Sequence, residues 1–208
     1  MAQWREIYDF WFGTPASNGH GDVREFWFAS TPDIDRELRD RFQDQYHRAA
    51  AGDLENWKLD ARGRVALIVL LDQVPRNIFR GHRQSFAADP VALSAARELV
   101  ASPLHDELIT VEKLFAYLPF EHSENIDDQM KCVAFYEAID EHESKEGWIE
   151  FAILHKDIIA KFGRFPHRNA MLGRVNTAAE EAWLQSSDQR FGTVPESDDS
   201  FAEGEEGA

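Results

Sequence analysis

Cysteine is nearly missing from this chain. Cys132 is its one thiol, so no intramolecular disulfide and no cysteine-based zinc cluster can form. Basic residues are scarce too, 22 against 38 acids for a formal net charge of −16, which argues against the whole chain binding nucleic acid or an anionic membrane. Long apolar runs are absent. The longest, Val65 to Leu71, falls far short of the roughly 20 residues of a membrane span. Met1 to Phe12 shows no basic stretch ahead of an apolar run, so a secretory leader is not expected and the expectation for compartment is cytoplasmic. No Gly-x-x-x-x-Gly-Lys or Gly-x-Gly-x-x-Gly loop and no Gly-x-Ser-x-Gly elbow occurs, which disfavours nucleotide cofactors and an elbow serine nucleophile. Asn-Gly hairpin signals between alternating strands are lacking as well.

What remains is rich in helix signals. The chain is 43% hydrophobic with six tryptophans, ample for a core. A first helix is expected from Gln3 to Phe12, stopped by Gly13. Thr31-Pro32-Asp33 reads as a cap, an N1 proline and a first-turn acid, opening an amphipathic helix with Ile34, Leu38, Phe42 and Tyr46 on one face, to near Gly52. The run from Ala61 to Val74 reads as a central helix ended by Pro75. Asp89-Pro90 starts another, to about Ala101. Thr110 should cap a short helix stopped by Pro119, and Ser123 one from Glu124 to about Glu143. Gly147 should separate that helix from one over Trp148 to Phe162, closed by Gly163. Thr177-Ala-Ala-Glu180 is a capping box for the last. The expectation is one all-α domain over residues 1–186 and an acidic, disordered tail over 187–208, with seven acids and one base.

Against the acidic background, two segments are basic. Arg62 to Arg83 holds five arginines and one acid, Asp72, while Lys161 to Arg174 holds four bases and no acid. Each carries an Arg-Asn-x-x-x-Gly stretch after a long apolar run: Arg76-Asn77 to Gly81, and Arg168-Asn169 to Gly173. No period near 34 residues, the signature of tetratricopeptide repeats, is visible. Arginine forks suit bidentate capture of carboxylate or phosphate, which makes Arg76, Asn77, Arg164, His167, Arg168 and Asn169 candidate ligand-binding residues. A third segment, Pro119-Phe-Glu-His-Ser-Glu124, sets His122 between carboxylates, which should raise its pKa. Candidate acid–base residues are His122, His155, Glu121, Glu124 and Asp72. Glu121, His122, Glu124 and His155 could also offer oxygen and nitrogen to a divalent metal, though no zinc-protease spacing is present. Cys132, amid apolar helix residues, reads as an inert core thiol.

Three stretches, Leu71-Asp-Gln-Val-Pro-Arg-Asn77, Pro119-Phe-Glu-His-Ser-Glu124 and Phe162-Gly-Arg-Phe-Pro-His-Arg-Asn169, closely resemble the bacterial family called domain of unknown function 924. The resemblance covers about residues 3–185. It implies a compact all-α fold classed with tetratricopeptide-like superhelices, and it brings no activity or catalytic roles.

Three functional readings follow. The leading one is a site for an anionic small molecule, possessed of acid–base groups and so open to catalysis. A helical adaptor receiving an acidic peptide or protein partner is the second, and a divalent-metal-dependent enzyme stands as a further alternative. In the third, the arginines are structural clamps paired with internal acids. No cofactor is assigned beyond the open metal possibility.

Overall fold

The computed structural model describes residues 3–187, and among them every regular element is helical. Nine α-helices run in order as α1 (Arg5–Phe12), α2 (Pro32–Ala50), α3 (Ala61–Asp72), α4 (Val74–Ile78), α5 (Asp89–Val100), α6 (Thr110–Glu121), α7 (Ile126–Glu137), α8 (Lys145–Phe162) and α9 (Ala178–Ser186), linked by turns and short 3₁₀ segments. No described helix is long and apolar enough to cross a membrane. The acidic tail expected from residue 187 onward lies, beyond Ser187, outside the described residues.

Helix α3 is the axis of the fold. Ten of its residues, from Ala61 to Asp72, are buried, and a helix apolar on every side has to sit inside others. Helices α1, α2, α5 and α6 pack around it. Its start is fixed by Asp60, whose carboxylate accepts from the Arg62 and Gly63 amides, an N-cap worth about 1 kcal/mol. Gly63 is required there, because a Cβ would fall 2.3 Å from the Trp57 carbonyl oxygen. Beside the axis, Phe115 of α6 makes edge contacts with Trp11, Phe12 and Trp27 at centroid distances of 5.6, 5.4 and 4.8 Å. Truncating such a fully buried ring to alanine costs about 3–5 kcal/mol. A second layer continues from α6 through α7 to α8, and α9 closes the C-terminal end against the turn that follows α8.

Several boundaries differ from the sequence reading, each for a local reason. Pro75 does follow the end of α3, but it occupies the first turn of α4, where its missing N–H is no loss. Pro119 does not stop α6, which runs on to Glu121. It falls in the last turn, and burial of Leu118, Phe120 and Glu121 holds that turn in place. Thr110 is the first residue inside α6, with Ile109 at the cap position. Asn125, not Ser123, caps α7 by accepting from the Asp127 amide at 2.8 Å, while the Ser123 hydroxyl donates to Asp128. That helix also ends at Glu137. Gly147 lies inside the first turn of α8. The Thr177 capping box and the left-handed Gly163, at φ +69°, stand where the sequence put them.

Candidate functional site

The break between α3 and α4 creates the site. Asp72 ends α3, where the negative pole of the helix makes an acid unfavourable unless cations meet it. Two groups do. Arg76, one turn on, lies 3.4 Å from Asp72 and donates to the Asp72 carbonyl. His122, at the end of α6, brings Nδ1 to 2.8 and 3.0 Å from the two Asp72 oxygens. Burial pushes the Asp72 carboxyl up, yet Arg76 and His122 more than offset this and hold it below the usual carboxylate range. A carboxylate can only accept, so Nδ1 carries the proton and Nε2 is the ring nitrogen His122 can offer to a ligand. The imidazole itself titrates below its ordinary value, through burial and then the Arg76 charge. The sequence reading, which had the flanking carboxylates raising it, is overturned by that burial.

Arg76 also makes a bidentate pair with Asp89, at 2.9 and 3.1 Å. Arg168, from the turn after α8, reaches the same carboxylate at 3.3 Å. The two arginines of the Arg-Asn-x-x-x-Gly echo therefore converge on one acid. The echo extends to the local geometry. Gly81 and Gly173 both take positive φ, +80° and +65°, and the Asn77 and Asn169 side-chain oxygens each accept from a following arginine, Arg80 or Arg174. Asn77 also donates to the Gln73 carbonyl.

Arg168 is 6% exposed and sits between the Phe86 and Phe165 rings, 4.8 and 4.4 Å from their centroids. Its Nε is buried with no hydrogen-bond partner among the described residues. Burial, opposed by Asp89 and reinforced by Arg76, pushes its pKa down to about 10. Around Arg168 stand His167 and His155, pushed down by burial to about 2 and about 3. Both are neutral imidazoles at physiological pH. His155 Nδ1 lies 2.9 Å from the Phe151 carbonyl and so donates to it.

These side chains enclose a recess of about 90 Å³ lined by Arg76, Arg80, Phe86, His122, His155, His167 and Arg168, with Met171 at its edge. That is room for a few waters or one compact oxyanion. Arg76, Arg80, His122 and His155 also line a larger cavity of about 650 Å³. Glu121 faces that cavity, 3.6 Å from His155. Burial pushes the Glu121 carboxyl up to about 8, the Tyr136 hydroxyl pulling part of that back, so Glu121 is protonated at neutral pH.

The structure thus brings Asp72, Arg76, His122, His155, Glu121, His167 and Arg168 together, with Asn77 on the cavity wall. It places the other three candidates elsewhere. Arg164 is paired with Glu180 at 2.6 and 2.8 Å and donates to the Val175 carbonyl. Asn169 bonds Asn176 and Arg174. Glu124 takes Arg174 in a bidentate pair and accepts from the Phe165 amide. With Glu124 engaged there, the four proposed metal donors do not assemble, and among the described residues no group of three or more His, Cys, Asp or Glu could hold a metal ion. Asp89, Phe86 and Arg80 were not singled out by the sequence reading. Asp89 looks like an ordinary first-turn acid, and its arginine partners are 13 and 79 residues away.

Fold and site together define a class: an all-helical protein that buries an arginine–histidine recess at a helix break. The chain belongs to the family described as "Bacterial protein of unknown function (DUF924)", whose profile matches residues 7–188. Among solved structures it is similar to a protein of unknown function from Agrobacterium tumefaciens, at 33% identity and a TM-score of 0.77, over 88% of this chain and 97% of that one. No curated protein matches the sequence.

Proposed function

We propose that the recess binds the carboxylate or phosphate of an anionic small molecule and that His122 can act on it as a general base. The observation carrying this reading is Arg168: a buried cation sharing one acid with Arg76, its Nε unpartnered among the described residues, on the wall of a cavity. A bound oxyanion would accept from the Arg76 and Arg168 guanidiniums that line the recess, whose planar forks suit carboxylate and phosphate. Asp72 fixes the His122 tautomer and would stabilise the imidazolium formed when Nε2 takes a proton. Protonated Glu121 supplies the complementary acid on the larger-cavity side.

Burial favours a small ligand over an acidic peptide laid along an open groove, because Arg168 and Asp72 lie too deep for a peptide backbone to reach. A cytoplasmic setting and a tetratricopeptide-like arrangement remain part of this reading, supported by the near-absence of cysteine and by the packing of α6, α7 and α8 each against the next in the chain. The test is calorimetric titration and thermal shift with inorganic phosphate and acetate on the native chain, Arg168→Gln and Arg164→Gln. Native protein and Arg164→Gln should bind and be stabilised alike, while Arg168→Gln should lose at least tenfold in affinity. If no small anion binds the native chain, or if Arg168→Gln binds as well as it does, the proposal is wrong.

A further inference from the structure

The larger cavity has two unlike ends. One is where Arg76, Arg80, His122 and His155 stand, the four residues that also line the arginine recess. The rest is mixed: Trp27 and Phe28 from the segment before α2, Leu114 and Leu118 from α6, and Trp148 and Phe151 from α8 give it apolar walls, with Glu143 and Ser144 at the start of α8 among its polar members. Two of these rings are unusual for a soluble surface. Phe28 is 61% exposed and Phe151 is 53% exposed, and both belong to the lining of one concavity rather than to scattered surface positions. Exposed aromatics gathered at a cavity mark a binding surface. At about 650 Å³ the cavity falls within the range of small-molecule sites, roughly 300–1,000 Å³.

Resting on the anion-site reading above, we infer that the ligand is an amphiphile: a carboxylate or phosphate monoester whose charged head sits against Arg76 and Arg168 and whose alkyl or aryl body fills the chamber between Phe28 and Phe151. The four shared residues then contact the atoms joining head to body, which places His122 at the junction. Asn77 and Gln73, on the same wall, give polar contacts near the head. Glu121 carries no charge at neutral pH and so does not repel the head. A purely polar metabolite would leave the aromatic walls wet, whereas a purely apolar one would leave the arginines without an anion. Each methylene taken from water into the chamber strengthens binding about fourfold.

Titration of the full chain with acetate, octanoate, inorganic phosphate and hexyl phosphate tests this. Octanoate should bind at least tenfold tighter than acetate, hexyl phosphate at least tenfold tighter than phosphate, and added phosphate should compete with both. Replacing the two exposed rings, Phe28→Ser with Phe151→Ser, should cut the octanoate-to-acetate ratio at least threefold and leave phosphate binding unchanged. Both positions are on the surface, and circular dichroism would verify that the double variant folds. The inference is overturned if phosphate binds but the alkyl chains add nothing, if octanoate binds without competition from phosphate, or if the double variant keeps the full ratio. Failure of phosphate and acetate to bind at all would instead remove the anion site beneath it.

Discussion

Two arginine-rich regions of this molecule use the same residue types to opposite ends. At the C-terminal end, Arg164 and Arg174 each form a bidentate pair with a carboxylate of their own, Glu180 and Glu124, and each also donates to a backbone carbonyl. Those pairs hold α9 and the turn after α8 against the start of α7. In the recess, Arg76 and Arg168 must share Asp89, and Arg168 keeps an Nε with no partner among the described residues. Where each guanidinium closes on a carboxylate of its own, the cluster is a latch; where Arg76 and Arg168 divide Asp89 beside a cavity, and the Asp72 next to Arg76 is also engaged by His122, the arrangement has capacity for an anion.

The comparison breaks most sharply at Asp89. Asp89→Ala leaves the buried Arg168 without its carboxylate and Arg76 with Asp72 alone, and unfolding in urea should show a loss of about 3–5 kcal/mol. Added phosphate should recover part of that loss by occupying the vacated position. A loss no greater than that of an ordinary surface substitution would mean the shared acid is not what holds the recess.

Next in size is the latch. Glu124→Ala removes the partner of Arg174 and of the Phe165 amide, both only part-buried, so about 1–3 kcal/mol should be lost in the same assay. Phosphate binding should survive. Were phosphate affinity to fall as steeply as stability, latch and recess would be one unit and the contrast between them would vanish.

A pH experiment sharpens the recess further. An acid whose pKa is raised on folding holds its proton more tightly in the folded state, so Glu121 withdraws stability as pH climbs from the unfolded value near 4.5 through about 8. His155 and His167, lowered to about 3 and about 2, act in the other direction and only as pH falls below 6.5. Between pH 6.5 and 8 the native chain should therefore lose stability relative to Glu121→Gln, the gap in melting temperature widening with pH. Parallel curves over that window would show that Glu121 is not protonated in the fold.

The smallest effect belongs to Arg164→Ala. It should leave affinity for phosphate within twofold of the native chain, since its guanidinium meets Glu180 on the far side of the turn. A tenfold loss there would place Arg164 in the site after all.

Much of the helix pattern could be read from the residues alone. The Thr31 and Thr177 caps, Gly13 and Gly163 at helix ends, and the fully apolar α3 all follow from interactions within a few residues. The misplaced boundaries, at Pro119, Ser123 and Gly147, are places where burial of neighbouring side chains outweighs a local breaker or offers a better cap. For the site, the three segments were visible as clusters of arginine, histidine and acid. Which members face one another was not.

By itself the sequence settled the all-helical class, the poverty in cysteine and base, and the family resemblance carried by the Leu71 to Asn77, Pro119 to Glu124 and Phe162 to Asn169 stretches. Tertiary structure alone decided that Arg76 and Arg168 divide Asp89, that Arg164 and Glu124 turn away, and that exposed aromatics from either end of the chain wall one cavity. Capping and periodicity are set by neighbours within a turn or two. Pairing of charges is set by which side chains burial forces into one low-dielectric space, and that depends on how helices distant in the chain pack.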